Sequence, residues 1–216
     1  VNYFGHAALA LETSSDPKFV LGSMLPDLAS MLRMPCPSSL DEVVSSGLAF
    51  HHLTDAVFHQ TETFSRLNQE ALRVLRDLGM RRGPARATAH IGTEMLLDAL
   101  LTTRASYGEG YVAALSTAPL VPLLWCDDVT SASFTVLAAH LEERGVEAHR
   151  ADPDRLVFRL GRALEGRARL EPDATELPLI ARFGEVFAER VAAQADELLA
   201  EVRAGIAART PHLHPF

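Results

Sequence analysis

Cysteine is nearly absent from this chain: 216 residues contain two, Cys36 and Cys126. Two thiols build neither a disulfide framework nor a four-cysteine zinc site, and a reducing, cytoplasmic setting is the simplest expectation. Excess positive charge is lacking too. The balance of 20 Lys+Arg against 28 Asp+Glu gives −8 with His neutral, which argues against general affinity for nucleic acid or anionic membranes. No apolar run approaches the ~20 residues of a membrane helix. The longest, Tyr111 to Trp125, is broken by Pro119 and Pro122, and the opening Val1 to Leu11 has no basic start of the signal-peptide kind. There is no Gly-rich phosphate loop, since Gly108-Glu109-Gly110 does not make one. Ser23, Ser45 and Ser46 have no nucleophile elbow around them, which argues against a serine hydrolase. Period-two alternation, internal repeats and low-complexity segments are missing as well.

What the chain does have is histidine. Nine His stand against an aromatic content of only 6%. With 48% apolar and 22% charged residues, the composition is that of a globular chain with a substantial core. Its length suits one domain. We expect residues 1–216 to form a single all-α domain of about nine helices, with 1–105 as a metal-site core and 106–216 as additional helices packed on it.

Short helices cover Tyr3 to Leu11 and Lys18 to Leu25, and Pro26 opens another to about Arg33. Ser39 and Glu42 form a capping box for a helix reaching His59. Glu62 to Leu78 is stopped by Gly79, and Pro84 sits in the first turn of a helix running to about Arg104. Tyr107 to Pro122 is punctuated by Gly and Pro. Thr130 to Arg144 ends at Gly145, Asp152-Pro153 starts a helix ending near Gly166, and Glu176 to Ala208 is one long amphipathic helix that packs on its own domain or on a second copy.

The chemistry-bearing residues fall on the apolar stripes of these helices. At 100° per residue His51 and Asp55 share the stripe of Val44, Leu48 and Phe58. His90 and Glu94 share that of Ala87, Leu97 and Leu101, with Asp98 one turn further on. His6 lies on a very apolar helix, and Asp27 follows Pro26 in Gly22-Ser23-Met24-Leu25-Pro26-Asp27. Buried His and carboxylates are costly unless compensated, and residues at i, i+4 can reach one ion. A site of His6, Asp27, His51, Asp55, His90, Glu94 and Asp98 therefore points to a divalent metal, with Mn, Fe or Zn suiting mixed imidazole and carboxylate ligands. His52 and His59 border the stripe as proton donors, and Arg81, Arg82 and Arg86 offer an anion-binding rim.

Each residue also has a plainer reading. His6 alone suits a satisfied core histidine, Asp27 a helix cap, His51 and Asp55 a hydrogen-bonded pair, Glu94 and Asp98 a solvated face, and the arginines ordinary surface. His140 and His149 have no acidic partners at ligand spacing. His212 and His214 resemble a chelating pair in a frayed tail, and the two Cys read as ordinary thiols.

The opening Asn2-Tyr3-Phe4-Gly5-His6-Ala7-Ala8-Leu9-Ala10, the segment Gly22 to Asp27, and Gly47-Leu48-Ala49-Phe50-His51 with Asp55 resemble the acyl carrier protein phosphodiesterases. The helix bearing Glu94 and Asp98 sits where that family has paired carboxylates. The resemblance covers about the first 105 residues. It implies an HD-domain-like helical bundle, related to the HD-type metal-dependent phosphohydrolases, with His6, Asp27, His51, Asp55 and Asp98 at or near a Mn²⁺-like ion. It further implies hydrolysis of a phosphodiester, either in a small phosphorylated substrate or between phosphopantetheine and an acyl carrier protein. Two readings from other classes stand beside it: a non-catalytic helical binding or scaffold protein with a buried polar network or structural metal, and an oxygenase-like iron protein. A homodimer is open through the long C-terminal helix.

Overall fold

The computed structural model describes residues 1–149 and 152–210; His212 and His214 lie outside them. The all-α expectation holds: nine α-helices account for most of the described chain. The only strand pairing among the described residues is a two-residue antiparallel bridge, Ser38–Ser39 with Leu123–Leu124. No described helix is long and apolar enough to cross a membrane. Contacts group the chain into two units, one of residues 1–56, 101–149 and 206–210, the other of 57–100 and 152–205.

The first unit is organised around α1 (Tyr3–Leu11), in which every residue from Tyr3 to Ala10 is buried. A helix apolar on all sides can only be a core helix. Full burial of a side chain such as Phe4 contributes roughly 1.5–3 kcal/mol. Asn2 caps it, accepting from the Tyr3 N–H at 2.9 Å. Helix α2 (Pro17–Met31) is capped by Asp16, whose Oδ1 accepts from the Lys18 N–H at 2.8 Å. It runs straight through Pro26, where we expected a break. The missing N–H removes one helix bond, but Val20 to Leu25 and Leu28-Ala29 are buried, and that burial holds the segment helical.

Helix α3 (Glu42–Phe58) crosses α2 at a pair of glycines. A Cβ on Gly47 would lie 2.2 Å from the Phe19 carbonyl oxygen, and one on Gly22 would lie 2.3 Å from that of Val44. Only glycine permits this approach. The N-terminal cap of α3 differs from the expected capping box. Asp41 Oδ1 accepts from the N–H groups of Val43 and Val44 at 3.0 and 3.3 Å. Ser39 belongs to the bridge, and its hydroxyl accepts from the Asp41 N–H at 3.1 Å.

Helices α4 (Glu62–Asp77) and α5 (Arg82–Leu101) carry the first part of the second unit. Thr61 Oγ1 caps α4 by accepting from the Phe64 N–H at 3.3 Å, and Gly79 follows its end at φ 96°, as its C-terminal position predicted. Helix α6 (Ala105–Thr117), a 3-10 turn at Ala118–Leu120, and α7 (Asp128–Arg144) complete the first unit, where α6 packs on α1, α2 and α7.

Helices α8 (Pro153–Leu164) and α9 (Leu177–Arg209) supply the rest of the second unit. There Leu156, Leu160, Phe183, Phe187 and Val191 are buried, and the Phe183 ring lies over Gly92 of α5. Pro178 falls in the first turn of α9, where no N–H is needed.

Candidate metal centre

Three helices of the first unit bring His6, Asp27 and His51 together. One nitrogen of each imidazole and one oxygen of the carboxylate lie within 4.8 Å of one another. His6 is fully buried, His51 is 6% exposed, and the Asp27 side chain is 28% exposed, although its Oδ2, the oxygen facing His6, is itself buried. The imidazole rings are in contact, with centroids 3.9 Å apart and planes inclined by 32°.

Both rings are held by their Nδ1 atoms. His51 Nδ1 lies 2.9 Å from the Ser23 carbonyl oxygen. A carbonyl only accepts, so this nitrogen carries the hydrogen. Ser23 lies inside α2, one turn before Asp27, so this bond ties the His51 ring to the helix that carries the carboxylate. His6 Nδ1 lies 2.8 Å from Thr54 Oγ1. The Thr54 hydroxyl donates to the carbonyls of Phe50 and His51 at 3.0 and 2.9 Å, so it accepts from His6. Each ring thereby turns its Nε2 lone pair away from its anchor, the tautomer a metal ligand requires. Burial pushes the His51 pKa down to about 4, against a smaller opposing effect of its bond to Ser23 and of the nearby Asp55 charge. The ring is neutral at pH 7.

These residues fit a divalent transition ion. Ligands bound at about 2.0–2.2 Å in tetrahedral or octahedral geometry stand roughly 3–3.5 Å apart. His6 Nε2 and Asp27 Oδ2 are 3.9 Å apart, a few tenths of an ångström wider. Two imidazoles and a carboxylate suit Mn, Fe or Zn. Asp27 is not a helix cap, because it lies inside α2.

The other residues singled out in the sequence are distributed differently. Asp55, half-buried on α3, acts on His51 through its charge but is not one of the three converging groups. His52 is exposed, its ring 5.4 Å from that of His51. In the second unit His59, His90 and Glu94 form a trio of their own. Asp98 is fully buried and faces Arg159 of α8, Oδ2 to Nη2 at 3.8 Å. Arg81 is engaged in structure: its Nη2 lies 2.6 Å from Glu176 Oε2 and 3.3 Å from Asp173 Oδ2. Its N–H also donates to Glu176 Oε1 at 2.7 Å. Arg82 and Arg86 are exposed.

Two residues that matter to the arrangement were not found from sequence as parts of it. Thr54 sits one turn after His51, a spacing that can orient a neighbouring ring, and Ser23 contributes only its carbonyl, which no side-chain pattern reveals. His149 is fully buried against the rings of Tyr3, Phe4 and Tyr111, at centroid distances of 4.8, 4.6 and 5.3 Å. Cys36 and Cys126 are exposed thiols.

No protein-family model matches the chain, and neither a curated protein nor a solved structure matches it.

Proposed function

We propose that the chain is a metal-dependent phosphohydrolase of the phosphodiesterase class, with a Mn, Fe or Zn ion held by His6, Asp27 and His51. The observation that carries this reading is the convergence of those three side chains with both imidazoles anchored through Nδ1. A metal-free polar core would need the rings to be satisfied, but not to bring a nitrogen of each beside one carboxylate oxygen. An ion at such a site supplies Lewis-acid polarisation of a phosphoryl oxygen and a nucleophile at neutral pH.

The chain's own residues supply the rest in this reading. Thr54 and the Ser23 carbonyl keep the two rings in one tautomer and orientation. Asp27 neutralises the ion's charge. His52, exposed beside His51, donates a proton to the leaving oxygen. The resemblance of its short motifs to those of acyl carrier protein phosphodiesterases favours a phosphodiester as the bond cleaved, with a small phosphorylated compound or the phosphopantetheine–serine linkage of a carrier protein as substrate.

The test is elemental analysis of the purified chain joined to an assay on bis(p-nitrophenyl) phosphate with added Mn²⁺, Fe²⁺ or Zn²⁺. We expect bound metal, hydrolysis, and a loss of at least ~100-fold in His51→Ala, beyond the 10–100-fold typical of removing a ligand's supporting partner. A folded protein that takes up none of these ions, hydrolyses no diester and keeps its Tm in chelator would overturn the reading and favour the scaffold alternative. Mass spectrometry of holo-acyl carrier protein after incubation then tests the substrate: loss of phosphopantetheine supports the carrier protein, and an intact carrier removes it.

A further inference from the structure

A second set of two imidazoles and one carboxylate lies in the other unit, built from different elements. His59 follows the last residue of α3, in a turn closed by the Gln60 N–H donating to the Val57 carbonyl at 3.0 Å and that of Thr61 to Phe58 at 3.1 Å. His90 and Glu94 are one turn apart on α5, which aligns their side chains on one face. Glu94 Oε1 stands 3.3 Å from His90 Nε2 and 3.7 Å from His59 Nε2. Both nitrogens thus approach the same oxygen, and the three ligand atoms fall within 4.8 Å of one another.

The rings are set for this by packing. His59 and His90 stack at 4.8 Å with planes 19° apart. Phe64, itself 3% exposed, presents its ring to both, at 5.2 Å from His59 and 5.3 Å from His90. Phe58 adds an edge contact to His59 at 5.4 Å. One wall of the trio is therefore apolar, and that wall limits ring rotation.

The spacings match ligands that share an ion. Two donors bonded at about 2.0–2.2 Å stand roughly 3–3.5 Å apart. The His90–Glu94 separation already has the ligand value, and that of His59 needs only a few tenths of an ångström of closure. The exposure is graded: the Glu94 side chain is 10% accessible, His59 30% and His90 42%. An ion would be anchored on the buried carboxylate and reached from solvent along the imidazoles. Three ligands leave further coordination positions to water.

We propose that His59, His90 and Glu94 form a second, exchangeable site for a first-row divalent transition ion, independent of the His6–Asp27–His51 site. The experiment is elemental analysis of the full chain equilibrated with Zn²⁺ and freed of excess metal, for wild type, His90→Ala, Glu94→Gln and His51→Ala. Circular dichroism checks that each variant is folded. We expect His90→Ala and Glu94→Gln each to bind one ion per chain fewer than wild type. An unchanged zinc content in folded His90→Ala overturns the proposal. If Glu94→Gln fails to fold, His59→Ala takes its place, because that side chain is partly exposed. His51→Ala separates the two sites. A loss confined to it leaves only the first site standing, and a loss confined to His90→Ala leaves only the second.

Discussion

The two trios use the same ligand types in opposite surroundings. His6 and His51 are buried, and each is fixed by a hydrogen bond through Nδ1. His59 and His90 are partly exposed, stacked on one another and backed by Phe64. In the first case hydrogen bonds choose the tautomer, and burial suppresses protonation of His51. In the second, ring packing sets the orientation and solvent remains in reach. A buried, anchored set is suited to holding an ion permanently and tuning its chemistry, and an open one to exchange. Identical residue types therefore yield different sites, and the difference lies in what surrounds each ring.

The largest effect that can break this contrast is that of acid on the metal-free protein. The His51 pKa is pushed down to about 4 from an ordinary 6.5, so between those values the unfolded chain binds a proton that the folded one refuses. Stability is therefore complete above about pH 6.5 and falls as pH drops toward 4, by up to about 3 kcal/mol. In a chain of this size that corresponds to roughly 6–12 °C in Tm. Thermal melts in chelator from pH 7.5 to 4.5 should show the slope, and His51→Gln should flatten it. An equal slope in both would mean that His51 is not held neutral by burial.

Replacing the Thr54 anchor comes next. Thr54→Val removes the acceptor of His6 Nδ1 while keeping the shape of the side chain. Metal affinity at the first trio should fall about 10–100-fold, with that of the second unchanged, as read by competition against a chromogenic chelator. Equal weakening of both would show that the variant acts through the fold as a whole. Smallest is Phe64→Leu, which trims the ring contacts to His59 and His90. We expect a few-fold loss at the second trio only, because packing orients a ligand less strictly than a hydrogen bond does.

Much of this architecture can be read along the chain. The helix ends at Gly79 and Gly145 and the start at Asp152 are local chemistry, set by backbone conformation and capping oxygens. The apolar stripe that placed His51 inward is likewise local. Pro26 misled because its local penalty is outweighed by burial on all sides of α2, a tertiary effect. Most of the seven expected metal ligands were grouped by helix stripe, and Asp27 by the motif that ends in it. A stripe shows that a side chain points inward but not what it meets there. Asp98 meets Arg159 and Glu94 meets His59, at separations of 61 and 35 positions along the chain by their residue numbers. Arg81 engages Glu176 across 95 positions. Long-range partners of this kind are set by how helices pack, and no spacing rule within one helix carries them.

Whether His6, Asp27 and His51 hold a metal ion is open to a direct structural test. Crystals grown with Mn²⁺ or Zn²⁺ and measured on either side of the metal absorption edge test it most directly. We expect an anomalous peak within bonding distance of both Nε2 atoms and an Asp27 oxygen, with Ser23 and Thr54 still on the two Nδ1 atoms. No peak there, in crystals where the imidazoles keep these positions, would contradict it.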